Sequence, residues 1–295
     1  MAHLAVTQST PPSDYKLESA LRGLDPDAPI VIMLHGFKYD PADPARDPQR
    51  QIYAYNPDRR VKRVASWPRR LGLQGRKGLA IGFGWHASGT IWQAHAQAAC
   101  AAKALAALIC RIRAQTPHRP IHIVAHSLGA RVAVSALSAL PCGTVSRVIL
   151  IAAAVFEHEL KSALGSRVGG STEIINIRSR ANTLFDLLLR AALPHWGPTV
   201  GRGRLRHQRL LDVNIDCQTM QSALTSAGFS LSQSQTGICH WSGYLRKDVC
   251  AFYRRLLHSP ALTPLAYLQS VCDTVPQMAP HATVNRSLSF RGQMR

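Results

Sequence analysis

Ile121-His-Ile-Val-Ala125 is a short apolar run that passes directly into His126-Ser127-Leu128-Gly129 and then into Ala130-Arg131-Val132-Ala133. An apolar run rich in β-branched residues reads as a buried strand. Small residues on both sides of a serine permit a sharp turn from strand to helix. Such a turn lifts the hydroxyl above the sheet on a strained backbone, and the helix that follows aims its positive end at the same point. The competing role is structural: a serine between a strand and a helix can simply cap the helix. The strand, His126 and the helix together favour a nucleophile.

The flanking sequence repeats the alternation. Pro29–Leu34, Leu79–Trp85, Pro120–His126, Arg147–Ala153, Glu173–Arg178 and Leu210–Ile215 read as strands. Thr90 caps a helix running to about Arg113, and residues 129–140, 184–192 and 245–258 read as helices. Strands alternating with helices imply right-handed βαβ units. The expected fold is therefore α/β, a mostly parallel central sheet with helices on both faces. In such sheets the active site lies at the carboxyl ends of the strands.

Around this unit, residues 1–28 read as a polar lead-in and 29–258 as the domain. Residues 38–77, with Asp-Pro at 40, 43 and 47, form an insertion too long for a simple connection. Residues 184–207 combine an apolar helix with a basic run and read as a lid or as a core helix. Residues 259–295 read as a flexible C-terminal tail.

These motifs resemble the α/β-hydrolase superfamily, in particular an uncharacterised bacterial esterase/lipase-like group. The elbow resembles G-x-S-x-G with Ala125 in the place of the first glycine. The resemblance implies that Ser127 is the nucleophile. It implies an oxyanion hole formed by the N–H groups of Leu128 and Phe37, the latter in His35-Gly36-Phe37 after an earlier strand. Gly36 and Gly129 would allow close approach of the backbone, and His35 would be a structural hydrogen bonder rather than a base. The family order is serine, acid, histidine. His240, in Gly237-Ile-Cys-His-Trp241, falls where the histidine is expected, with packing between Trp241 and Tyr244 as its structural alternative. Among eight acids after Ser127, Asp186 follows the strand at 173–178 and is the expected acid, with Glu157 as the reserve. Relatives carry an acid nearer the strand end, at the position of Thr183, which has no carboxylate. Asp186 could also serve only as a first-turn acid of its own helix.

The expected activity is serine hydrolysis of an ester, thioester or related acyl bond through an acyl-enzyme, with no cofactor. The alternative is a catalytically weakened protein of the same fold that binds a small ligand or partner. The formal net charge is +19, with Lys+Arg 35 against Asp+Glu 16. The basic residues spread from Arg22 to Arg295, which disfavours nucleic acid as the partner and leaves peripheral contact with anionic membrane open. Arginines near the site could hold an anionic ester. No zinc-ligand spacing or phosphate-binding glycine loop occurs. Seven cysteines without a CxxC pair, and an N-terminus without a leader pattern, read as a reduced cytoplasmic protein with a small-molecule acyl substrate.

Overall fold

The computed structural model describes residues 3–273, apart from 59, 62, 168–169 and 233–236. In chain order its regular elements begin with β1 (His3–Thr7), α1 (Asp14–Arg22), β2 (Ile30–Leu34), α2 (Trp67–Arg70), β3 (Leu79–Gly84) and α3 (Ile91–Gln115). They continue with β4 (Ile121–His126), α4 (Leu128–Leu137), β5 (Arg147–Ile151), α5 (Glu157–Leu164), β6 (Glu173–Arg178) and α6 (Thr183–Ala192). The chain closes with β7 (Leu210–Asn214), α7 (Gln218–Ser226), α8 (Ser242–Leu245), α9 (Lys247–His258) and α10 (Leu265–Asp273).

All seven strands are parallel, in the order β1-β3-β2-β4-β5-β6-β7. Successive side chains of a strand point to opposite faces, and β2 makes the consequence visible. Ile30, Ile32 and Leu34 enter a core with α1, α3 and α4, while Val31 and Met33 enter a second core with α2, α7, α9 and α10. Both faces are covered, so the central strands read as continuous apolar runs. The chain crosses over β2 between β3 and β4. The direction of strand addition therefore reverses beside the C-terminal ends of β2 and β4, where an open parallel sheet leaves a crevice.

The ends of the chain differ from the sequence expectation. The polar lead-in contributes an edge strand, β1, in register with β3, and a helix whose Leu17 and Leu21 are buried. A single edge strand with only Leu4 and Val6 buried leaves too short an apolar signal to be read. Part of the supposed tail is α10, which buries Leu265, Leu268 and Cys272. Residues 274–295 lie outside the described residues.

The insertion at 38–77 is packed structure. Ile52, Tyr53, Trp67, Leu71 and Leu73 are buried against the second face of the sheet, and Tyr53 Oη donates to Met33 O at 2.7 Å. In 184–207, by contrast, α6 buries Leu189 and exposes Leu184, Leu187 and Leu188. The apolar stripe therefore faces outward rather than forming an ordinary core helix.

Candidate active site

Ser127 ends β4 and precedes α4 with φ 53° and ψ −123°. A non-glycine residue at positive φ is strained and persists only where its surroundings hold it. Here its N–H donates to Ile151 O at 2.9 Å, and its carbonyl accepts from Ala130 and Ala154, both at 3.0 Å. Its side chain makes no capping bond to α4, which removes the structural alternative for this serine.

Two glycines make the elbow possible. A Cβ on Gly36 would lie 2.6 Å from Ser127 Cβ, and one on Gly129 would lie 2.3 Å from His35 O. Any side chain at either position would push the β2 loop and the elbow apart. Leu128 is the first residue of α4, so its N–H has no carbonyl partner within the helix. Lys38 N–H donates to Ala87 O at 2.8 Å, which pins the loop that carries Phe37. His35 is fully buried; its Nε2 accepts from Trp85 N–H at 3.0 Å, and its ring stacks on the Trp85 ring with centroids 5.5 Å apart. Burial pushes its pKa down to about 3. It braces the loop.

His240 lies in the loop before α8. Its Nε2 accepts from Ser127 Oγ at 2.8 Å, and its Nδ1 donates to Asn182 Oδ1 at 2.6 Å. The two bonds are consistent with one neutral tautomer: proton on Nδ1, lone pair facing the serine. Burial, with a smaller effect from His126, pushes the pKa of His240 down to about 2. The loop is held from both sides. Cys239 N–H donates to Ala181 O at 2.9 Å, and His126 Nε2 donates to His240 O at 2.9 Å. Phe185 stacks on the His240 ring with centroids 4.6 Å apart. Trp67 of the insertion meets the rings of His126 and Tyr244, so the insertion supports the histidine loop from beneath.

The expected acid is not at the histidine. Asp186 Oδ1 accepts from Thr199 Oγ1 at 2.5 Å and faces Gly201. The reason is helical geometry: neighbouring residues on α6 point about 100° apart, so Phe185 covers His240 while Asp186 turns toward the segment at 199–201. Asp186 does what a first-turn acid does for its own helix. Glu157 likewise makes no bond to His240, whose Nδ1 is taken by Asn182. Thr183 Oγ1 donates to Arg180 O at 2.8 Å. The residue beside the histidine is Asn182, buried at the end of a 3₁₀ turn, Arg180–Asn182, that follows β6. The sequence places Asn182 next to the position where relatives carry an acid, but a search for carboxylates passes over it. The structure thus brings Ser127, His240, Gly36 and Leu128 together, with Asn182, His126 and Phe185 beside them. Among the described residues no group of three or more His, Cys, Asp or Glu could hold a metal ion.

A model of an alpha/beta hydrolase family of unknown function (DUF900) matches residues 15–157. That match covers just under half of the chain, and the seven-stranded parallel sheet with its strained elbow is the α/β-hydrolase fold. The matched region contains Gly36 and Ser127 and ends before Asn182 and His240. Among solved structures, TT1662 from Thermus thermophilus is 11% identical, with 65% of this chain and 81% of that chain covered and a TM-score of 0.37. No curated protein matches.

Proposed function

We propose that the protein is a serine hydrolase that cleaves a carboxylic ester, thioester or related acyl bond. The observation that carries this reading is the 2.8 Å hydrogen bond from Ser127 Oγ to the neutral Nε2 of His240, made by a serine held at positive φ. His240 takes the hydroxyl proton as Ser127 Oγ attacks the acyl carbon. The N–H groups of Leu128 and Phe37 receive the oxyanion. The imidazolium then protonates the leaving group, and water attacks the acyl-enzyme by the reverse path. Asn182 orients the ring through Nδ1, a role for which a carboxamide has the right shape. The exposed Leu184 and Leu188, on the helix that carries Phe185, offer an apolar surface to an acyl chain.

Asn182 also supports a second reading, that of a catalytically weakened protein which binds an acyl ligand. A carboxamide carries no charge to stabilise the imidazolium, and among the described residues no carboxylate bonds to His240. Labelling by a fluorophosphonate probe, followed by peptide mass mapping, separates the two readings. Adduct on Ser127 that disappears in His240→Ala supports the hydrolase. A folded wild-type protein that takes up no adduct supports the binding protein.

A further inference from the structure

A cavity of about 1200 Å³ lies at the β7 edge of the sheet, walled by the segment at 202–208 and by α7 and α10. Five guanidiniums line it: Arg178, Arg180, Arg202, Arg204 and Arg206. Two carboxylates, Asp212 and Asp273, stand against them. Asp212 is already engaged, accepting from Arg178 Nε at 2.8 Å and from Asn176 Nδ2 at 3.0 Å. Gly203, at φ 65°, brings the backbone onto this pair; a Cβ there would lie 2.3 Å from both Arg178 Cζ and Asp212 Oδ2. The wall is thus built closely around its one satisfied ion pair.

Among the described residues the remaining guanidiniums form no ion pair, although Arg206 also acts on Asp212 at longer range. Arg202, Arg204 and Arg206 alternate along an irregular stretch and are all exposed. Arg206 Nη1 donates only to the carbonyls of Gly203 and Leu205, at 2.9 and 3.3 Å. Among the described residues none of Arg180, Arg202 and Arg204 forms an ion pair. Residues 274–295, which follow α10 from the cavity rim, contain no Asp or Glu. The lining thus carries five arginines against two carboxylates, an excess of positive charge.

We propose that this cavity binds a small ligand carrying several phosphoryl groups. Guanidinium forks match phosphate oxygens bidentately, and a concave site of this size encloses a small molecule. A flat bilayer could not enter it. Phe, Tyr and Trp are absent from its lining, so it lacks the stacking surface on which proteins hold single-stranded nucleic acid. The site does not depend on the reaction of Ser127. It does adjoin it, because the 3₁₀ turn that carries Arg180 into the cavity ends at Asn182, the partner of His240.

The test uses inorganic tripolyphosphate and the full chain, by calorimetric titration at fixed ionic strength. Saturable binding near one per chain is expected, weakened at least about tenfold in the triple variant Arg202→Gln, Arg204→Gln, Arg206→Gln. A control variant, Arg22→Gln, Arg50→Gln, Arg60→Gln, removes the same charge from exposed surface pairs elsewhere and should bind as wild type. A second measurement needs no variant. Cys217 lines the cavity and Cys142 is exposed outside its lining, so tripolyphosphate should slow iodoacetamide alkylation of Cys217 and leave Cys142 unchanged. Equal weakening in both triple variants would reduce the effect to diffuse net charge and overturn the proposal. So would cavity-dependent binding of duplex DNA or of phosphatidylglycerol vesicles that tripolyphosphate cannot displace, or the absence of saturable binding with Cys217 unprotected.

Discussion

Asn182 stands where a carboxylate would hold the imidazole, and the difference is electrostatic. A carboxylate stabilises the protonated ring; a carboxamide only orients it. With burial unopposed by a negative partner, His240 remains neutral down to low pH. Asn182→Asp should therefore raise the pKa of His240 and move the acid limb of kcat/KM for a p-nitrophenyl ester upward in pH. It should also raise kcat by about tenfold or more; an unchanged pH profile would separate Asn182 from the histidine. Ser127→Ala should lower ester turnover by at least about a thousandfold with little change in Tm. Gly36→Ala tests the elbow differently, because the added methyl meets Ser127 Cβ at 2.6 Å. Displacing the nucleophile loop on that scale should slow probe labelling of Ser127 by about a hundredfold. Labelling at the wild-type rate would mean that the loop yields freely.

At the scale of elements, β5 and β6 are tied to the C-terminal helices by a buried charge. Arg147 is 1% exposed; its Nε donates to Glu173 Oε2 at 2.7 Å, and its Nη atoms donate to Leu256 O and Thr263 O at 2.6 and 2.8 Å. Removing one member of such a pair leaves an uncompensated buried charge, which costs about 3–5 kcal/mol. Glu173→Gln should lower the unfolding free energy by about 3 kcal/mol in urea titration; a loss under about 1 kcal/mol would show that the carbonyls alone satisfy the guanidinium. The six strands from β2 to β7 were legible because each is a compact apolar run. β1 and α10 were not, because each buries only two or three side chains and gains its place by pairing or packing with distant residues. Asp186 misled for a related reason. Its distance along the chain suited the triad, but its rotational position on α6 turned it toward Thr199.

Across the whole molecule, histidines whose pKa burial lowers make stability depend on pH. Burial pushes His35 to about 3, His95 to about 4, His122 to about 3, His126 to about 4 and His240 to about 2, against about 6.5 in an unfolded chain. Between those values the unfolded chain binds more protons than the folded one, so stability rises with pH and is lost as pH falls below about 6.5. Tm should drop by more than about 5 °C from pH 7.5 to pH 5, and a flat Tm over that range would mean that these rings gain protons without unfolding. What the sequence determined by itself is local in origin: strand and helix order from hydrophobic period, the parallel sheet from their alternation, and the elbow from small residues around Ser127. Pairing with His240 was legible only through its order along the chain. The tertiary structure alone decided which polar atom meets His240 Nδ1, that the insertion braces the histidine loop, and that arginines 178 to 206 converge on one cavity. Those outcomes depend on which residues are neighbours in space, and neighbours brought together from distant strands leave no periodic trace along the chain.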